Sequence, residues 1–156
     1  MTGKFSEKKI SIVIVVSEFN ARIIENLLQG ALDAFTHHGG NQSDIIIYRV
    51  PGAFEIPGTI AQVLKNHSPH AIVAIGAVIR GETPHFDFIA GESSRGISEL
   101  SRNSDIPIIN GIITTNTAQH ALDRSQPEGK NKGWEAMEAA LQTISVYDSM
   151  RTDSTC

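Results

Sequence analysis

Ala71-Ile72-Val73-Ala74-Ile75-Gly76-Ala77-Val78-Ile79 carries no polar side chain, and the chain turns polar directly after it, at Arg80-Gly81-Glu82-Thr83-Pro84-His85-Phe86-Asp87. A continuous apolar run bounded by turn residues reads as a strand covered on both faces, as at the centre of a parallel sheet. Its polar end is then the carboxyl end of a strand, where open α/β sheets place their ligands. Gly81 lets the backbone approach a ligand, Thr83 adds a hydroxyl, and successive amides of such a turn form an anion nest. His85 adds a group that exchanges protons near neutrality. Gly-Glu-Thr-Pro is also ordinary turn chemistry and a lone histidine is often a satisfied surface residue, so the segment alone is only a candidate site.

On either side of this strand the period of the apolar residues alternates. Ile10 to Val16 is a β-branched strand, and Asn20 to His38 places Ile23, Ile24, Leu27, Leu28, Ala31, Leu32 and Phe35 at helical spacing before Gly39-Gly40 ends it. Asp44 to Val50 reads as a strand and Phe54 to Asn66 as a helix with Pro57 tolerated near its first turn. Glu92 to Ser104 reads as a helix, Pro107 to Ile113 as a fourth strand, Thr117 to Arg124 as a short helix and Asn131 to Met150 as a long closing one. This βαβαβαβαα order predicts an α/β fold, a flavodoxin-like three-layer sandwich with a four-stranded parallel sheet. The 156 residues suit a single domain spanning 1–156. About nine residues at the amino end and about six at the carboxyl end, Arg151 to Cys156, are expected to be flexible.

Composition narrows the function classes. Hydrophobic residues make up 40% and charged residues 19%, with a net charge of -4, so the basic footprint of a nucleic-acid binder is missing. No apolar run approaches the ~20 residues of a membrane span and the polar start has no signal core, which predicts a cytoplasmic protein with no membrane partner. Cys156 is the only cysteine, so no intrachain disulfide forms. The six histidines show no HExxH or Cys/His spacing and no metal is expected. No Gly-x-Ser-x-Gly elbow, P-loop or Gly-x-Gly-x-x-Gly follows a strand, which weighs against an elbow serine and against dinucleotide binding.

Three further loops fall on the same predicted edge as Gly81 to His85. In Ser17-Glu18-Phe19-Asn20, Phe19 is either a core residue or an exposed ring on which a flat heterocycle stacks. In Val50-Pro51-Gly52-Ala53-Phe54-Glu55-Ile56-Pro57, the Glu55 carboxylate suits the positive end of a helix and equally accepts hydrogen bonds from a polyol. Asn110-Gly111-Ile112-Ile113-Thr114-Thr115-Asn116-Thr117 offers polar groups that either cap the next helix or face a ligand. Arg124 and Lys132 flank Gln126-Pro127-Glu128-Gly129, a plain solvated connector or a pair of cations for an anion; arginine pairs with phosphate bidentately.

Taken together these motifs resemble the lumazine synthases. The resemblance runs from Ile10 to Leu141 and rests on Ser17 to Asn20, Val50 to Pro57, Gly76 to Asp87, Asn110-Gly111-Ile112 with Thr114-Thr115, and Asn131-Lys132-Gly133, in that order. It implies a transferase of riboflavin biosynthesis that condenses 5-amino-6-(D-ribitylamino)uracil with 3,4-dihydroxy-2-butanone 4-phosphate to 6,7-dimethyl-8-ribityllumazine, releasing phosphate and water with no cofactor or metal. By position, Phe19 stacks on the pyrimidine, Ala53, Phe54 and Glu55 hold the ribityl chain, and Ala77, Val78 and Ile79 line the pyrimidine edge. Glu82 and Thr83 hold phosphate and His85 is the catalytic acid/base. Asn110, Arg124 and Lys132 arrive from a neighbouring subunit, Arg124 on the phosphate, in a homo-oligomer built from pentamers with its active sites at subunit interfaces. The chain departs from relatives at Glu82, where some carry a small residue, and at Asn110, where many carry Phe. It departs too at Ser125 to Lys130, unlike the Gly/Ala-rich kink of sixty-subunit shells. A non-catalytic lumazine- or flavin-binding protein, or a shell protein of the same fold, is the alternative; His85 with Arg124 separates them, since mere binding needs neither a proton shuttle nor a phosphate clamp.

Overall fold

β-branched runs become strands and the helically spaced segments pack over them in the computed structural model of the chain, which describes residues 9–81, 85–127 and 130–153. The strands are β1 (Ile12–Ser17), β2 (Ile45–Val50), β3 (Ala71–Ile79) and β4 (Ile108–Thr115). They form one sheet in the order β2-β1-β3-β4, every pair parallel. The helices are α1 (Ala21–His37), α2 (Ile56–Asn66), α3 (Phe86–Arg102), α4 (Ala118–Asp123) and α5 (Lys132–Asp153), with single 3₁₀ turns at Gln42–Asp44 and Ala53–Glu55.

Every residue of β1 and β3 is buried because each strand feeds alternate side chains to two cores. Ile12, Ile14, Val16, Val73 and Ile75 pack with α1 and α5 through Leu27, Phe35, Met137 and Ile144. Val13, Val15, Ile72, Ala74 and Val78 pack on the other side with Ile56, Ile60 and Ile97. Two apolar faces on one sheet give the three-layer α/β sandwich that the alternating periods predict. The helix end at His37 also follows its sequence: Gly39 takes φ +92° and the Gly40 amide donates to the Phe35 carbonyl at 2.9 Å. On the β2 edge, Arg49 donates to Glu25 of α1 at 2.6 Å, and that hydrogen bond pushes the guanidinium pKa up from its ordinary value. Among the described residues no helix is long and apolar enough to cross a membrane.

The junction of α1 with α5 is set by three residues. A Cβ on Gly133 would land on the Leu27 carbonyl oxygen, so the two helix backbones touch there. Buried Asn131 donates to the carbonyls of Asn26 and Ser125 at 3.0 Å each and accepts the Trp134 amide at 2.9 Å. A Cβ on Gly30 would collide with that same amide side chain.

Several boundaries differ from the sequence expectation. α3 starts at Phe86 rather than Glu92, because the Ile89 amide already bonds the His85 carbonyl at 2.9 Å. β4 runs on through Thr114 and Thr115, whose pairing with Val78 and Ile79 continues the ladder. α5 extends to Asp153, so Arg151 to Asp153 are helical rather than loose; the Arg151 guanidinium donates to the Asp105 carbonyl and pairs with Asp148 at 3.6 Å. Residues 154–156, with Cys156, and residues 1–8 lie outside the described residues.

Candidate active site

The sheet register puts the strand ends on one border. Ser17 pairs with Val50 and Ile79 with Thr115, and the next amide of each crossover keeps the pairing: Glu18 N–H donates to the Val50 carbonyl and Arg80 N–H to the Thr115 carbonyl, both at 2.8 Å. The loops after β1, β2 and β3 therefore meet at the carboxyl edge, as the parallel order requires.

One hollow of about 210 Å³ opens there, lined by Phe19, Pro51, Gly52, Ala53, Ala77, Val78, Ile79 and Ile89. Phe19 is 43% exposed although it follows a fully buried strand, so its ring serves the hollow rather than the core. Asn20 makes this possible by taking φ 60°, the left-handed region, at the turn into α1. The hollow is mainly apolar, with Ala77, Val78 and Ile79 of β3 in its wall, which suits a flat heterocycle. Glu55 precedes α2 without capping it through its side chain, and its Oε1 lies 3.3 Å from where a Gly52 Cβ would stand. The carboxylate thus reaches the rim of the hollow. Phe54 turns outward and stacks on Phe88, ring centroids 5.8 Å apart.

His85 sits exposed at the first position before α3, and its side chain does not cap that helix. It is four residues before Ile89, a wall residue of the hollow. Glu82 and Thr83 lie outside the described residues.

Asn110, Arg124 and Lys132 line a different hollow of about 380 Å³ along β4 and α5, together with Thr114, Glu135 and Ala136. The two cations are held as a unit, since the Lys132 amide donates to the Arg124 carbonyl at 2.9 Å. Arg124 Nη1 reaches the Thr114 carbonyl at 3.4 Å and Lys132 Nζ pairs with Glu135 at 3.0 Å. Asn110 falls inside β4, as the strand reading of Pro107 to Ile113 expects, and not in the loop after it: it is the third residue of the strand, paired with Ala74, and its Oδ1 accepts the Ile112 amide at 3.0 Å. The reading of Thr117 as a helix cap holds, its hydroxyl accepting the His120 amide at 3.1 Å.

The two linings share no residue. A single chain thus carries an aromatic, apolar hollow and, separately, a cationic one, and each is open to solvent. Ile89 lies in the first turn of α3, ahead of the Glu92 start that the sequence predicts. The 3- and 4-residue spacing of Phe86, Ile89 and Ala90 was the signal that could have found it.

Comparison with known proteins identifies the family. A family model for 6,7-dimethyl-8-ribityllumazine synthase matches residues 9–148. Among similar proteins, the 6,7-dimethyl-8-ribityllumazine synthase of Nitratidesulfovibrio vulgaris (strain DSM 19637 / Miyazaki F) is 40% identical over 148 residues, 95% of each chain. That of Aquifex aeolicus (strain VF5) is 40% identical over 149 residues, 96% of this chain and 97% of its own. That of Chlorobium limicola (strain DSM 245 / NBRC 103803 / 6330) is 40% identical over 145 residues, 93% and 94%. With a family model matching residues 9–148 and these relatives spanning almost the whole sequence, the chain belongs to the 6,7-dimethyl-8-ribityllumazine synthase family.

Proposed function

We infer that the chain, acting as one domain in the cytoplasm, condenses 5-amino-6-(D-ribitylamino)uracil with 3,4-dihydroxy-2-butanone 4-phosphate to give 6,7-dimethyl-8-ribityllumazine, phosphate and water. The observation that carries this reading is the pair of hollows, one aromatic and apolar with Ile89, four residues after His85, in its wall, and the other holding Arg124 and Lys132. A second copy of the chain that apposes its cationic hollow to the aromatic one completes the site, in a homo-oligomer built from pentamers. Phe19 stacks on the pyrimidine, the Ala77 to Ile79 backbone meets its polar edge, and the Ala53 to Glu55 turn holds the ribityl chain. Arg124 and Lys132 of the neighbouring subunit take the phosphate, with Glu82 and Thr83 beside it. Asn110 contributes main chain.

The reaction is then a sequence of proton transfers in a held pair of reactants. The 5-amino group adds to the ketone carbonyl and water leaves as the imine forms. A proton leaves the carbon bearing the neighbouring hydroxyl while phosphate departs from the terminal carbon, and the enol so formed becomes a ketone. The ribitylamino nitrogen closes the ring on that carbonyl and a further water leaves. His85 takes and returns the protons, and orientation of the two reactants supplies up to roughly 7–11 kcal/mol of the barrier. Mixing purified protein with both substrates and following lumazine absorbance together with released phosphate tests the reading. Equal appearance of both products is expected. A folded oligomer that binds the pyrimidine and releases neither would favour a binding or shell protein.

A further inference from the structure

The guanidinium of Arg80 joins three elements at the carboxyl end of β3. Nε donates to Asn116 Oδ1, in the turn after β4, at 3.1 Å. Nη2 donates to Asp87 Oδ1, in the first turn of α3, at 3.3 Å. Its Cζ stands 4.5 Å from the centroid of the Phe86 ring. Phe86 and Asp87 directly follow His85, and Gly81, with φ +90°, directly follows Arg80. One side chain therefore grips the far end of the turn that carries the imidazole while its own backbone is fastened to Thr115 of β4.

The Arg80 and Asp87 side chains are 53% and 82% exposed, so this contact set adds little to global stability. Its geometry serves another purpose. A planar fork that bonds two partners through different nitrogens while lying on a ring is something lysine cannot reproduce. We propose that Arg80 is a positioning residue for His85: by pinning the start of α3 to the end of β4 it fixes the backbone from which the imidazole projects. The proposal rests on the reading of the chain as a lumazine synthase. A displacement of about 1 Å in a reacting group costs on the order of 10²-fold in rate, so a clamp too weak to matter for folding still matters for turnover.

Steady-state kinetics with both substrates, for wild type, R80A, R80K, D87N and N116A, test this. R80A is expected to lower kcat by about 10- to 100-fold with the KM for each substrate changed by less than about threefold. R80K recovers little of the loss, D87N and N116A show smaller losses in the same direction, and R80A combined with D87N is no worse than R80A alone. Hydrogen exchange of the α3 amides from Phe88 to Ala90 speeds up in R80A while the oligomer keeps its size, a readout independent of turnover. If R80A does not fold, D87N and N116A each remove one arm of the clamp and carry the test. Wild-type kcat and exchange in every variant would overturn the proposal. So would a raised KM for the phosphate substrate at unchanged kcat, which would put Arg80 on the phosphate itself. An inactive wild-type protein would instead remove the functional reading beneath it.

Discussion

Single residues at the carboxyl edge decide what faces the aromatic hollow. Asn20 holds a left-handed backbone, φ 60°, with no side-chain cap to repay it, and that turn delivers Phe19 to the surface. Asn20→Ala is expected to cost about 1 kcal/mol in urea unfolding at fixed protein concentration, with Asn20→Gly costing less because glycine carries no Cβ strain. Equal losses in the two variants would contradict the backbone argument. At His85 the expectation is kinetic: His85→Ala lowers kcat by roughly 10²–10⁴-fold without abolishing it, since orientation of the reactants survives the loss of the imidazole. Isothermal titration with the pyrimidine substrate should find its affinity little changed. An unaltered kcat would remove His85 from the chemistry.

At the scale of elements, the α1–α5 contact explains a motif that resemblance alone assigns to the site. In Asn131-Lys132-Gly133, the asparagine and glycine are structural, one bonding the α1 and connector carbonyls and the other admitting the Leu27 carbonyl, and between them they present Lys132 next to Arg124. Gly133→Ala is expected to destabilise by about 1–3 kcal/mol or more, because the clash is with backbone and no rotamer relieves it. Gly91→Ala in α3, where a Cβ meets nothing within 4 Å, is expected to stabilise by about 0.5–1 kcal/mol. Thermal unfolding of the pair checks the contrast, and similar Tm values for both would refute it. Strand order and the convergence of loops were legible in the sequence because alternating periods permit few topologies for a parallel sheet. The first turn of α3 was less so, because the turn-forming Gly81-Glu82-Thr83-Pro84 and the polar Asp87 stand beside the helical spacing of Phe86, Ile89 and Ala90 and obscure it. The far end of β4 was not legible: Thr114 and Thr115 imitate the polar loop that follows, and only their pairing with Val78 and Ile79 reveals the strand.

For the whole molecule, the separation of the two hollows is what the proposed function must account for. The residues it assigns to one reaction line two hollows that share no residue, so the proposal expects turnover from an assembly of copies, and loss of assembly should mean loss of rate even with every subunit folded. Subunit complementation tests this most directly. His85→Ala and Arg124→Ala proteins, each weakly active alone, are unfolded together, refolded as mixed oligomers and assayed for lumazine and phosphate. A site shared between copies predicts that activity returns toward about a quarter of wild type, from the interfaces where an intact His85 meets an intact Arg124. Mixed oligomers no more active than the average of the two parents would contradict it.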